Sequence, residues 1–233
     1  MKTTLVLLTR NELPCLKIIF PQLPAPSAEA GFDEIVAVDG GSTDGTIEFF
    51  KEHNIPVIAQ SKKGRGEAFQ HAFRELDSEA FIFFSPDGNE DPKDLAKFRP
   101  LLQSGADLVI ASRMMKESWN EEDHLVFKWR KWANNAFNLM VNFLFRRSGP
   151  FITDSINGYR ALTRKTAETL QLDAPDYTIE YQMTIRALKN KLRIDEFPTH
   201  EGDRVAGDTG APSFSTGIKF IKRLLREATK QGG

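Results

Sequence analysis

Short apolar runs closed by polar turns recur along the first half of the chain. Leu5–Leu8, Glu34–Val38, Pro56–Ala59, Phe81–Phe84 and Asp107–Ala111 are all too short for ordinary helices, and polar or turn-forming residues follow each. Runs apolar at nearly every position predict strands buried on both faces of a parallel sheet. The stretches between them carry helical spacing. Leu13–Phe20 and Glu67–Leu76 are two, the latter with Ala68, Ala72 and Phe73 on one side, and further helices are predicted from Thr46 and from Pro92 towards Leu102. Strand and helix alternating five times in little over a hundred residues predict a doubly wound α/β sheet.

The second half is patterned differently. Glu117–His124 is a polar, acidic loop, and Leu125–Arg147 is helical, with Phe127, Trp129, Trp132, Phe137, Leu139 and Phe143 set among basic residues. Phe151–Arg160 reads as a turn and strand, Tyr177–Lys189 as a helix, Arg193–Pro198 as a late strand and Thr199–Ser215 as a loop. Gly217–Ala228 closes the chain as a basic amphipathic helix. Both aromatic and basic helices read as packed against the core in preference to touching a membrane.

Candidate chemistry gathers where the predicted strands end. In open α/β sheets ligands bind outside the carboxyl ends of the strands. The fourth run leads into Ser85-Pro86-Asp87-Gly88-Asn89-Glu90-Asp91, which sets oxygen ligands at that edge. Hard cations such as Mg²⁺ or Mn²⁺ prefer oxygen ligands and share them with substrate phosphates. The second run ends in Asp39-Gly40-Gly41-Ser42, a carboxylate beside a backbone that can turn sharply. Arg113 follows the fifth run, where a guanidinium can hold a phosphate through two bonds. Asp154 precedes Gly158 and reads as a base towards a hydroxyl acceptor, or as an orienting group if the acceptor is already an anion. The four histidines show no metal-ligand spacing.

Composition narrows the partners. Lys and Arg total 31 against 32 Asp and Glu, so the basic surplus of a duplex-DNA binder is missing and no nucleic-acid partner is expected. The single cysteine excludes an intrachain disulfide and fits a reducing compartment. Thr4–Thr9 is too short for the core of a signal peptide, and no apolar stretch approaches the roughly 18–20 residues of a membrane span. These features predict a soluble, cytoplasmic protein.

Taken in order, the motifs resemble those of family 2 glycosyltransferases with the GT-A fold, most closely the dolichyl-phosphate mannose synthase-like branch. The residues that carry the resemblance are Leu8–Glu12, Val38–Thr46, Lys63–Gly66, Asp87–Asn89, Ala111–Arg113 and Asp154–Arg160. The resemblance implies a mostly parallel, Rossmann-like sheet, with residues 1–113 binding a nucleotide sugar and residues 114–233 binding the acceptor. It implies that Thr9, Asn11 and Glu12 meet the base and ribose, that Asp39 reads the base edge with Gly41 and Ser42 beside it, and that Arg65 and Gly66 lie near the nucleotide. Asp87 and Asn89 would hold Mg²⁺ or Mn²⁺, Ser85 would bond the ribose, Arg113 and Asp154 would act at the reacting centre, and Arg113, Arg130, Glu180 and Arg204 would face the acceptor. Two positions depart from the family pattern: Ser85 stands where an Asp usually precedes the metal-binding Asp, and Gly40 where a second Asp often follows Asp39.

The implied reaction is inverting transfer of a hexose from a nucleotide-diphosphate sugar, of the GDP-mannose or UDP-glucose type, to an acceptor such as a polyprenyl phosphate. That acceptor would place the protein at the inner face of the membrane. A nucleotidyltransferase is the enzymatic alternative, although Thr9–Glu12 lacks the glycine-rich loop such enzymes carry after their first strand. A degenerate nucleotide-sugar-binding protein is the non-enzymatic one, with Ser85 and Gly40 in its favour.

Overall fold

The computed structural model describes residues 1–206 and 213–230. Its strands are β1 (Thr3–Thr9), β2 (Glu34–Asp39), β3 (Val57–Ala59), β4 (Ala80–Phe84), β5 (Leu108–Ser112), β6 (Arg160–Thr163) and β7 (Ile194–Pro198). Its helices are α1 (Leu13–Ile19), α2 (Thr46–Glu52), α3 (Arg65–Glu75), α4 (Leu95–Gln103), α5 (Trp129–Phe145), α6 (Arg164–Leu170), α7 (Ile179–Lys189) and α8 (Ser213–Thr229). The strands form one sheet in the order β3-β2-β1-β4-β6-β5-β7. All run parallel except β6, which is antiparallel to both β4 and β5.

Alternating side chains of each central strand enter two cores. Val6, Leu8, Phe81 and Phe83 face the layer of α3, α5, α7 and α8, while Leu5, Leu7, Ile82 and Phe84 face α1, α2 and α4. Burial on both faces is why the strands read as continuous apolar runs. Each large side chain so buried contributes about 1.5–3 kcal/mol. The carboxyl ends of β1, β2, β4 and β5 meet the start of β6 at one edge, because Arg160 pairs with both Phe83 and Ile110.

Four expectations are corrected. Phe151–Tyr159 is not a strand, because its N–H groups are claimed by side chains. Asn142 takes the N–H of Ile152, Glu196 those of Thr153 and Asp154, and Asn138 that of Ser155. The strand of this region starts at Arg160 and inserts between β4 and β5. Helix α5 starts at Trp129, later than Leu125, because the Glu122 carboxylate accepts from the N–H groups of Arg130 and Lys131 and fixes the first turn there. Helix α6 has no counterpart among the expected elements; the Thr163 side chain caps it at the N–H of Thr166. The loop expected over Thr199–Ser215 lies partly outside the described residues, and α8 begins within it at Ser213.

No helix among the described residues is long and apolar enough to cross a membrane. An open depression of about 760 Å³ lies at the amino ends of the strands, against Lys2, Asp77, Glu79, Asp107 and Arg164. The candidate chemistry sits at the opposite edge.

Candidate active site

The loops after β1 and β2 interlock. The Asn11 side chain accepts from the N–H of Thr43 at 2.8 Å, and its own N–H donates to Ser42 Oγ at 2.8 Å. Asp44 takes the N–H groups of Leu13 and Thr46, so the helices after both strands start from one carboxylate. Asp39 is fully buried, and its oxygens accept from the N–H groups of Gly41 (2.9 Å) and Ser42 (2.8 Å), from Ser42 Oγ (2.5 Å) and from Thr9 Oγ1 (3.3 Å). Its carboxylate therefore shapes the turn, and bonding a base as well would require it to release one of these donors.

At the end of β4, Asp87 accepts from the N–H of Asn89 at 3.2 Å and from Arg204 Nη1 at 3.1 Å. The same guanidinium donates through Nη2 to both oxygens of Glu12, at 2.6 and 2.8 Å. One cation is thus shared by carboxylates from the ends of β1 and β4. Residues 202–205 lie over this motif: Gly202 donates to the Asn89 carbonyl and Val205 to that of Asp87. A Cβ at Gly88, where φ is +98°, would stand 2.2 Å from Val205, so the close crossing requires glycine. Burial raises Asp87 and Glu12 above the ordinary carboxylate range, against the opposing pull of Arg204.

Arg65 begins α3 and reaches across the edge. It donates through Nε to Glu180 and through Nη1 to Ser85 Oγ at 3.2 Å. Glu180 is buried in the first turn of α7, and its Oε2 has no partner among the described residues. Gly66, assigned by resemblance to the nucleotide, is a packing position here. Its N–H donates to the Pro175 carbonyl, and a Cβ would sit 2.0 Å from the Ala174 carbonyl.

Arg113, just after β5, is bound to Asp154 through Nε at 2.7 Å and Nη2 at 3.1 Å, with Nη1 on Glu201 at 2.9 Å. Asp154 is fully buried and also holds the N–H groups of Arg113 and Asn157. Burial opposes its charge, yet Arg113 outweighs that and keeps the carboxyl below its usual range. It is an ionised, fully partnered anchor. Arg130 pairs with Glu121 at 3.1 Å on the rim; Asn120, one residue before Glu121, donates to Glu201.

Glu196 on β7 supports this loop. Burial pushes it from 4.5 up to about 7, although the N–H groups of Thr153 and Asp154 favour its charged form. An acid more easily protonated in the folded than in the unfolded state takes up a proton on folding between those two values. Its contribution to stability is therefore full below about pH 4.5 and is lost as pH rises towards 7, a change of roughly 3 kcal/mol. Glu196→Gln should flatten the slope of unfolding free energy between about pH 5 and 7, measured by urea titration. An unchanged slope would locate the proton elsewhere.

The structure brings Glu12, Asp87 and Arg204 together, joins Arg65 to Ser85 and Glu180, joins Arg113 to Asp154, and joins Thr9, Asp39 and Ser42. Arg204 pairs with Asp87 and Glu12, and Arg130 pairs with Glu121 instead. Glu90 and Glu201 were not singled out from sequence. Glu90 accepts from the N–H of Ser85 at 2.7 Å and is raised well above its ordinary value, by burial and then by the charge of Asp87. Glu90 was legible in the acidic cluster after β4; nothing near Glu201 in sequence marks it.

Carboxylates outnumber guanidinium groups at this edge, so a diphosphate placed there needs added positive charge. Among the described residues no three His, Cys, Asp or Glu side chains are arranged to hold a metal by themselves. Asp87 and Asn89 offer the oxygen atoms that would suit a divalent cation, and the guanidinium of Arg204 shows that positive charge is accepted there.

A family model for glycosyl transferase family 2 matches residues 4–165. The UDP-N-acetylglucosamine–dolichyl-phosphate N-acetylglucosaminyltransferase of Methanococcus voltae is 31% identical, over 83% of this chain and 84% of its own. Glycosyltransferase AglJ of Haloferax volcanii is 28% identical over 86% of this chain, which spans 65% of that protein's length. The dolichol-phosphate mannosyltransferase of Pyrococcus furiosus is 26% identical over 97% of this chain and 63% of its own. In fold, glucosyl-3-phosphoglycerate synthase from Mycobacterium tuberculosis, crystallised with Mn²⁺, UDP and phosphoglyceric acid, superposes with a TM-score of 0.74 at 18% identity, over 98% of this chain and 78% of its own. The sheet is thus of the GT-A type, and the chain belongs to glycosyl transferase family 2, in its dolichyl-phosphate mannose synthase-like branch.

Proposed function

We propose that the protein transfers a hexose from a nucleotide-diphosphate sugar, of the GDP-mannose or UDP-glucose type, to a polyprenyl phosphate with inversion at the sugar carbon. The observation that carries the donor side is the cation-sharing pair of Asp87 and Glu12 at the ends of β4 and β1. Bound Mg²⁺ or Mn²⁺ would offset the charge growing on the leaving diphosphate. Asp87 and Asn89 would hold the cation at the edge, Ser85 and Arg65 would flank the ribose and phosphates, and Thr9, Asn11, Asp39, Gly41 and Ser42 would shape the nucleoside end. Oε2 of Glu180, without a partner among the described residues, suits a sugar hydroxyl.

The acceptor side rests on Asp154. A carboxylate with no exposed surface, locked on Arg113, has no reach to deprotonate a hydroxyl. An acceptor that is already an anion needs no base. Residues 1–113 then serve the donor, with Glu180 and Arg204 reaching in from the second half, and the rest of residues 114–233 serve the acceptor, at the cytoplasmic face of a membrane. Nucleoside diphosphates with Mn²⁺ should raise the melting temperature well above Mn²⁺ or nucleotide alone, since ligands that select the folded state stabilise it by mass action. A screen in which no nucleoside diphosphate shifts the transition would refute the donor assignment.

A further inference from the structure

The carboxylate best placed to read a base, Asp39, is already engaged. It has no exposed surface, and its two oxygens take the N–H groups of Gly41 and Ser42, Ser42 Oγ and Thr9 Oγ1. A carboxylate offers about four lone-pair sites, so these donors fill it. Recognition of the base then falls to neighbours that keep unused donors or acceptors. Thr9, Asp39 and Ala59 are register partners across β1, β2 and β3, so the residues that follow them, Arg10, Gly40 and Gln60, stand in a row at the carboxyl edge.

The N–H of Gln60 donates to the Asp39 carbonyl, which fixes its backbone beside the end of β2. Its side-chain Nε2 donates to the carbonyls of Lys62 at 3.3 Å and Gly64 at 2.9 Å. Both partners can only accept, so the amide has one orientation, with nitrogen towards them and Oε1 towards Gly40. A Cβ at Gly40 would stand 2.8 Å from that oxygen. Among the described residues nothing donates to Oε1. On the other side of Gly40, the same Cβ would lie 3.4 Å from both Cβ and Cδ of Arg10, so this side chain runs along the glycine. Arg10 is exposed, and its guanidinium has no partner among the described residues. A Cβ at Gly41 would meet nothing within 4 Å, so the space beside the turn is open.

A fixed acceptor and a free fork of donors on the two sides of one glycine match one base edge best. Guanine presents N1–H, O6 and N7 in sequence. Gln60 Oε1 would take N1–H, and Arg10 would hold O6 and N7 together, the commonest specific pairing of arginine with a base. Uracil offers N3–H and O4 and then a carbon, which leaves half of the fork empty. Adenine carries an amino group in place of O6, so it too offers the fork a single acceptor. We infer that Gln60 and Arg10 select a guanine nucleotide as the donor. This selection presupposes the nucleotide-diphosphate donor proposed above, and it chooses between the two donor types.

The test is calorimetry on the whole protein with Mn²⁺ and GDP, UDP, ADP or inorganic pyrophosphate. GDP is expected to bind about tenfold or more tightly than UDP or ADP, the order of discrimination of one bidentate contact. Arg10→Lys keeps the charge that attracts any diphosphate and loses the fork, so the three nucleotides should then bind within a few-fold of one another. Gln60→Ala should weaken GDP by about tenfold and leave pyrophosphate unchanged, whereas a purely structural role in the Lys62–Gly64 loop would weaken both. UDP bound as tightly as GDP, or a GDP preference that survives Arg10→Lys, would overturn the inference and leave a nucleotide donor in place. Binding of none of the three nucleotides would overturn both this selection and the donor assignment beneath it.

Discussion

Asp87→Asn is expected to leave the fold intact and to lower sugar transfer by about a hundredfold or more, the size typical of one lost transition-state electrostatic contact. The backbone before it is fixed by β4, which pairs with β1 on one side and β6 on the other. The side chain is 19% exposed and makes one ion pair, and Arg204 keeps its stronger hold on Glu12 when that pair is lost. Asn preserves shape and removes the charge. Charge on the diphosphate grows as the sugar bond breaks, so a cation held by this carboxylate would act more on the transition state than on the ground state. Mn²⁺ binding measured by calorimetry in the presence of nucleoside diphosphate should weaken in parallel. Near-normal turnover of Asp87→Asn would reduce the Asp87–Asn89 stretch to a structural turn.

Arg113→Ala is expected to be the most damaging single change to stability. It strands Asp154, which is fully buried, and frees Glu201 from its one guanidinium. Removing one partner of a buried pair costs about 3–5 kcal/mol, because the other charge stays uncompensated. In a chain of this size that lowers the melting temperature by roughly 10 °C or more. Asp154→Asn added to Arg113→Ala should cost clearly less than the sum of the two single changes, since the stranded charge goes with it. Strict additivity in thermal or urea unfolding would show that the two residues act independently.

What the sequence made legible follows from where each element's partners lie. Strands β1, β2, β4 and β5 could be read because burial on both faces forces continuous apolar runs, and Asp39, Asp87 and Arg113 because they follow such runs directly. Phe151–Tyr159 misled because its hydrogen bonds go to Asn138, Asn142 and Glu196, acceptors from another helix and strand. The antiparallel insertion of β6 leaves no mark in a four-residue run. Arg204 meets Asp87 across 117 positions and Glu201 meets Arg113 across 88, separations over which spacing carries no information. The aromatic helix could be read as packed, and its inner face is. Its outer face is apolar as well, and a periodicity that marks one buried stripe does not show what the second is for.

The central claim is transfer of a sugar from a nucleotide diphosphate to a polyprenyl phosphate, and the most direct measurement is of the products. The protein is incubated with Mn²⁺, a donor labelled in the sugar, and vesicles containing a polyprenyl phosphate. The account predicts label moving into the lipid fraction as a glycosyl phosphate of inverted configuration, with one nucleoside diphosphate released for each sugar transferred, and both stopped by chelator. Release of nucleotide joined to a new partner together with sugar 1-phosphate, or an intact donor under every condition, would contradict it.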